Sequence, residues 1–460
     1  MTFIKKERFL EYNYDHDVAG KCVLYVMSRD QRVNDNFALS YAQEKALALN
    51  LPLAVLFVLH KKGVRSREHY IFMLEGLAEV EKTLKDKNIA FLLLVGNPED
   101  VLKNAFIHLQ PAHVFMDFSP LKGPRELYLK LQNTHTVISV IDTHNCVPVW
   151  TASPKQEVGA RTLRPKIHTL LSGFLVDTPV VINHPYMWPG KVMSLRTLKS
   201  VIDEFLATIP KNGQSLEIKS GESAGIEAAK EFLYERLIGY SENRNDPTKN
   251  GLSGLSPYFH FGQLSVIRVL RMIEETEIPG DYIRSKDAFI EEAVIRKELS
   301  DNYCYYAPTY RSIHGSASWA QNTLKKHTGD IREFCYSLND FEAGRTHDKA
   351  WNAAQRQLTL SGKIHGYMRM YWAKKVLEWS PSPEEAIKIL TYLNDFYSLD
   401  GGDPNGYTGI MWSVAGVHDR PWGERPVYGT IRSMVYSGLK RKFDITSYEK
   451  KWLEGVTTEI

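Results

Sequence analysis

The sequence predicts a two-part protein: an α/β unit built on a doubly wound, Rossmann-like parallel sheet, then an all-α body. Three observations predict it. The chain has 460 residues, beyond the size at which a single hydrophobic core usually stops growing. Between residues 21 and 150 short apolar runs alternate strictly with amphipathic stretches, the pattern of a parallel sheet with crossover helices. From residue 221 onward the apolar spacing is mainly helical.

Taken in order, residues 1–20 read as an N-terminal tail and residues 21–150 as the α/β domain. Strands are expected at 23–27, 53–59, 90–95, 113–116 and 137–142, with helices over 36–48, 68–85, 98–109 and 121–133. The strands are continuous apolar runs, which suits a sheet covered on both faces. No GxGxxG follows the first strand, where the chain reads VMSRDQRVNDN, so an ordinary NAD site is disfavoured, although the carboxyl edge of such a sheet still offers a ligand crevice. Residues 151–220 lose the alternation and carry Pro154, Pro165, Pro179, Pro185, Pro189 and Pro210; they read as a connector with some helical turns. Residues 221–460 form the helical domain, with helices expected over 222–238, 262–275, 285–305, 338–342, 348–361, 367–379 and 383–397.

Composition narrows the class of protein without choosing a function. At 43% hydrophobic and 24% charged residues the chain is not disordered. No run approaches the roughly 18 apolar residues of a membrane span, and the start lacks the apolar block of a secretory signal. A soluble intracellular protein, cytoplasmic or nuclear, with no membrane partner is expected. Cys22, Cys146, Cys304 and Cys335 form no CxxC pair, so they read as reduced thiols rather than zinc ligands. With 57 Lys and Arg against 54 Asp and Glu, net charge +3, any nucleic-acid contact needs a local basic patch.

Four stretches carry candidate chemistry. RNDPTKNGLSGLSPYFHFGQLS places Thr248, Ser253 and Ser256 among glycines before a helix expected near Gly262; hydroxyls and free N–H groups there suit an anion, or a turn cluster that satisfies its own backbone. FIEEAVIRKELSDNYCYY puts Glu292, Arg296 and Asn302 on a helix beside Lys297 and Glu298. This reads either as a solvated face with internal ion pairs or as a basic residue reaching cofactor phosphates. In WNAAQRQLTLSGKIHGYMRMYWAKKVLEWS, Trp372 and Trp379 share a helix face about 10.5 Å apart along the axis, suiting core packing or, beside a redox cofactor, an electron path. The last stretch, 394–432, crowds Asn394, Asp400 and Asp403, then interleaves Trp412 and Trp422 with Arg420, Arg425 and Arg432. Arginines among large aromatics in a Gly/Pro-rich segment suit gripping phosphates and stacking on displaced bases; a structural loop with ordinary ion pairs is the alternative.

Together MSRDQRVNDN, RNDPTKN, LSPYFHFGQLS, KELSDNYCYY, GYMRMYWAKKVLEW and LDGGDPNGYTGIMWSVAGVHDRPWGER, in order over residues 22–445, resemble the class II cyclobutane pyrimidine dimer photolyases. The resemblance implies a lyase that repairs ultraviolet-damaged DNA, holding flavin adenine dinucleotide (FAD) noncovalently in the helical domain and using its reduced form as a light-driven electron donor. It implies that Tyr240, Leu252, Ser253, Leu255, Ser256 and Lys297 line the phosphate and ribityl side of the flavin, and that Asp400 meets its adenine or ribityl end. Arg369 and Asp400 would pair beside the flavin ring, and Asn394 would face its N5. It further implies that Glu292 hydrogen-bonds the dimer and that Met370 and Trp412 pack on its bases. Arg420 to Trp422 would fill the void left by a flipped lesion, with Arg244 and Arg432 steadying the strand. Trp351, Trp372 and Trp379 would re-reduce oxidised flavin from the surface, hopping along one helix face. Arg296 departs from relatives with an aromatic there and would add a phosphate contact. A deazaflavin or folate antenna could occupy the crevice after residues 23–27, and a monomer is expected. The rivals are a cryptochrome-like photoreceptor and a flavin-dependent electron-transfer enzyme acting on a small molecule.

Overall fold

The structure, a computed structural model, describes residues 6–11, 19–132, 136–176, 180–277 and 282–454. The described residues form one six-stranded sheet: β1 (Phe9–Glu11), β2 (Cys22–Met27), β3 (Leu53–Leu59), β4 (Ala90–Val95), β5 (Pro111–Asp117) and β6 (Ile138–Ile141), in the order β1-β6-β5-β2-β3-β4. Each of β2, β3, β5 and β6 is buried along its length, as a sheet covered on both faces requires. The covering helices are α1 (Phe37–Leu49), α2 (Arg67–Asp86), α3 (Pro98–Leu109) and α4 (Lys122–Leu131). Asn36 caps α1 by accepting from Leu39 N, and Asn97 caps α3 ahead of Pro98, so both helices begin where side chains satisfy orphan donors.

The sheet is mixed rather than wholly parallel. Within the expected tail, β1 pairs antiparallel with β6, Phe9 opposite Ile141. A strand of three residues is too short to show an alternation, which is why it read as tail. Arg8 beside it is buried, donates to the carbonyls of Asp142, Asn145 and Cys146, and lies 4.0 Å over the Phe37 ring.

The connector holds more helix than its prolines suggested: α5 (Ala160–Phe174) accommodates Pro165 within its first turns, and a second helix spans Lys199–Ala207. Beyond it, a run Ile283–Ile290 continues through a π-helical turn, Glu291–Arg296, into α6 (Lys297–Tyr306). Then follow α7 (Lys349–Ser361), α8 (Gly366–Trp379), α9 (Pro383–Tyr397) and α10 (Pro404–Ala415). The helix expected from Gly262 begins instead at Val266, because Gly262 has φ +63 and a Cβ there would stand 2.2 Å from Arg29 O. That close approach seats the helical body on the loop after β2, where Gln31 N donates to Phe261 O. No helix among the described residues is long and apolar enough to cross a membrane, and their four cysteines are free, only Cys335 being exposed.

Candidate active site

Between the parallel strands β2 and β5, where the strand order reverses, the carboxyl edge of the sheet is closed by protein. Asp117, ending β5, accepts from the N–H groups of Ser28, Arg29 and Asp30 and from Tyr25 Oη. Burial, then the neighbouring Asp30, push its carboxyl up to about 7. Arg29 pairs with Asp301 of α6 through two bonds, at 2.7 and 3.0 Å. The crevice expected after β2 is therefore filled by a domain seam. The Arg29–Asp301 pair in it is buried, and removing one partner of such a pair costs about 3–5 kcal/mol.

The same seam redefines the 297–302 stretch. Lys297, Glu298, Asp301 and Asn302 are all buried, so neither the solvated-face reading nor a freely reaching phosphate ligand holds for the segment as a whole. The Lys297 ammonium donates to His144 O and Asn145 Oδ1, while Glu298 accepts from Cys146 N. Burial outweighs the Lys297 charge and raises the Glu298 carboxyl to about 8. These residues fix the 142–147 turn against α6, with Lys297 still forming part of the wall of the cavity beyond.

That cavity, about 700 Å³ of open volume, is lined by Tyr240, Ser253, Ser256, Glu292, Lys297, Arg369 and Asp400 among the expected residues. Arg369 and Asp400 meet at 3.6 Å, and Ser398 Oγ donates to Asp400 Oδ1. Burial raises the Asp400 carboxyl, but Arg369, Ser398 and Lys363 outweigh it and hold it at about 2. The buried Ser256 hydroxyl points toward Asp400 without a hydrogen bond of good geometry, and Gly254, at φ +77, has open space where a Cβ would stand. Thr248 belongs elsewhere: its hydroxyl donates to Asp246, closing a local turn. Leu255 is wholly buried in the core and Leu252 half-buried beside the wall. Asn394, buried on α9, donates to Asp395 Oδ1 and sits so close to Gly406 that a Cβ there would lie 2.7 Å from its amide nitrogen.

One helix turn after Arg369, Trp372 begins an aromatic stack. Its ring lies 6.3 Å from Trp351 at an interplanar angle of 10°, and Trp351 lies 6.2 Å from Trp379. The order is Trp372, Trp351, Trp379, so the path leaves α8, passes through α7 and returns, rather than running along one helix face. Trp372 Nε1 donates to Gln355 Oε1 and Trp351 Nε1 to Trp372 O. Trp379 is itself buried and touches Tyr336 and His347, through which the stack reaches solvent.

At the mouth, Glu292 accepts from Arg244 at 2.6 Å. Arg296 is bound to Glu291 at 2.8 Å, and Arg164 grips the same carboxylate, so the expected phosphate contact of Arg296 has a competing internal partner. Met370 and Trp412 are half-buried. Residues 404–415, where no helix was expected, are helix α10: Pro404 at its first position and the Asp403 cap start it, while Gly406 and Gly409 had masked its apolar run. After it, Arg432 lies 3.9 Å over Trp422 and 3.2 Å from Asp419, and Arg420 lies 5.4 Å from the same ring.

A family model described as DNA photolyase matches residues 23–183. A deoxyribodipyrimidine photo-lyase of Potorous tridactylus is 45% identical over 447 residues, covering 94% of this chain and 81% of that protein. The chain belongs to the DNA photolyase family. A namesake from Methanothermobacter thermautotrophicus is 38% identical, covering 97% of this chain and 98% of its own. Among solved structures, a bacterial class III photolyase from Agrobacterium tumefaciens shares the fold at TM-score 0.69 and 17% identity, covering 96% of this chain and 88% of that one. A Synechocystis cryptochrome shares it at TM-score 0.69 and 15% identity, covering 95% and 89%.

Within this photolyase-family pocket, several wall residues were given no role by the sequence reading: His144, Phe259, His260, Phe289, Ala293, Asp403, Asn405 and Gly406. Asp403 accepts from the His260 ring at 3.0 Å; burial raises its carboxyl, but His260 and Arg29 bring it down overall. His144 follows β6 at the carboxyl edge of the sheet, a position topology alone marks for ligands. The other seven sit in motifs that were noticed for different members.

Proposed function

We propose that this chain is a deoxyribodipyrimidine photo-lyase of the class II type, repairing ultraviolet-damaged DNA by splitting cyclobutane pyrimidine dimers under light. The carrying observation is the arrangement on α8: within two turns this helix bears Arg369 in the pocket wall, Met370 at the mouth and Trp372 at the head of the aromatic stack. One helix thus joins a cofactor site, a lesion site and an electron path.

The pocket fits FAD by its donor set. Ser253, the underused Ser256 hydroxyl and the open backbone at Gly254 suit phosphate and ribityl oxygens, and Arg369, held by Asp400, supplies a fixed positive charge. Tyr240, Leu252, Leu255 and Lys297 complete that side, with Asn394 offering an amide to the redox-active ring. When bound in reduced form, FAD supplies one electron to the dimer under near-ultraviolet or blue light and recovers it after the ring opens.

The chain's own residues then bind and orient. Met370 and Trp412 give apolar faces to the flipped bases, Glu292 accepts from their N–H groups once Arg244 turns to a phosphate, and Arg420, Trp422 and Arg432 occupy the vacated duplex and grip its backbone. Trp372, Trp351 and Trp379 return electrons to oxidised cofactor. One chain supplies every part, so a monomer suffices.

The test is repair of a defined thymine-dimer oligonucleotide by chemically reduced protein, in light and in darkness. Light-dependent recovery of thymine absorbance is expected. Flavin binding and photoreduction without recovery would move the chain to a photoreceptor role.

A further inference from the structure

Lys374 is the most buried lysine among the described residues, and the reading above gives it nothing to do. It lies on α8 one turn after Met370, hence on the same face. Its Nζ donates to Ser413 O at 2.9 Å and stands 4.3 Å from the centre of the Trp412 ring. Ser413 belongs to the last turn of α10, where carbonyls lack intrahelical donors and the helix dipole favours a cation. A cap accounts for the hydrogen bond. It does not account for the indole, since an ammonium carries three N–H groups and isolating them from water is costly unless something replaces the lost contacts. The π face of Trp412 replaces them here.

We propose that Lys374 is a positioning residue for lesion recognition: it fixes the plane of Trp412 from the protein side, so that the indole presents one preset face to displaced pyrimidines beside Met370. This rests on the reading of Trp412 and Met370 as the lesion floor. A half-buried indole free to swing would have to be ordered at each binding event, and that ordering lowers affinity. Ordering it in advance favours the lesion over an undamaged base, because only an extrahelical base reaches the ring.

The surroundings make this hold sensitive to pH. From the segment after α10, Asp419 supports the ammonium and Arg432, 5.8 Å from the same indole, opposes it; Tyr428 donates to Lys374 O and to Glu378. Burial is the largest influence and brings the ammonium down to about 7. The cation is present at mildly acid pH and lost as pH rises through neutrality.

The experiment measures dark dissociation constants of FAD-loaded protein for a thymine-dimer oligonucleotide and its undamaged counterpart, on either side of neutral pH, with Tm and light-driven repair recorded alongside. Lys374→Met is expected to lose about tenfold in the damaged-to-undamaged preference, within the range of cation–π contacts, with undamaged affinity unchanged. Lys374→Arg, which stays charged and opens no cavity, is expected to keep the preference and to abolish the decline that wild type shows on the alkaline side. An unchanged preference in Lys374→Met with only Tm lowered would reduce Lys374 to a helix cap and overturn the proposal. So would an Arg variant that declines with pH as wild type does. Failure of the underlying reading looks different: wild type itself then shows neither dimer preference nor repair.

Discussion

Two sets of tryptophans in one chain are treated in opposite ways. Trp351, Trp372 and Trp379 are buried and touch ring to ring, with the first two giving their N–H groups to neutral oxygens; only the outermost, Trp379, has a cation over its ring, Lys375 at 5.4 Å, and that ammonium is paired with Glu378. Trp412 and Trp422 are half-buried or exposed and lie against cations: Lys374 and Arg432 for one, Arg420 and Arg432 for the other. A hydrogen-bond acceptor on the indole N–H makes a ring easier to oxidise, whereas a cation on its face makes it harder. The first set suits passing electrons, the second holding nucleic acid, and residue type alone distinguishes neither.

The comparison breaks most visibly at Trp351, the middle of the stack. Trp351→Phe should slow photoreduction of oxidised flavin by about two orders of magnitude, about 2.7 kcal/mol of added barrier, followed as loss of oxidised-flavin absorbance under blue light. Because chemically reduced protein bypasses the stack, its repair rate should stay near wild type; an equal loss there would place Trp351 in folding rather than in electron passage.

A smaller effect is expected at the rim. Arg432→Ala removes the cation shared by Trp412, Trp422 and Asp419, and should weaken damaged-DNA affinity by about tenfold while lowering the salt slope of log K by about one. Arg420→Ala, whose guanidinium is exposed, should act in the same direction but more weakly. Unchanged affinity in both variants would remove these residues from the DNA interface.

The smallest effect is a pH dependence of the loop that carries Trp422. His327 bridges Asp330 at 2.6 Å and Glu424 at 2.8 Å, and hydrogen bonds to these carboxylates, Asp330 first, raise its pKa. A raised folded pKa means the imidazolium bridge contributes fully below the ordinary histidine range and is lost as pH rises through the raised value. Proteolytic cleavage within 416–432 should therefore quicken at mildly alkaline pH, and His327→Gln should flatten that dependence.

Much of the sheet was legible because its strands are unbroken apolar runs; β3 and β4 begin and end where the sequence reading put them. Helices α3 and α9 were equally clear, each opened by a capping side chain and a proline. Helix α10 was not, since Gly406 and Gly409 dilute a helical pattern whose stability comes from packing. At the site, the sequence supplied about half of the wall residues but not their partners. Spacing along α8 could not reveal that Trp351 of another helix stands between Trp372 and Trp379, nor that Lys297 spends its protons on the 144–145 turn. Such pairings join residues 21 and about 150 positions apart, and local periodicity holds no information at that range.

The bond set of Arg8 bears on how the molecule is made. During synthesis its guanidinium can find the carbonyls of Asp142, Asn145 and Cys146 as soon as that turn leaves the ribosome. The turn's other partners, Lys297, Glu298 and Asp301, arrive only after a further 150 or so residues. Until then the nascent α/β half carries a pre-shaped but open latch, exposed to chaperones and proteases, and the flavin pocket cannot close before the helical half is translated.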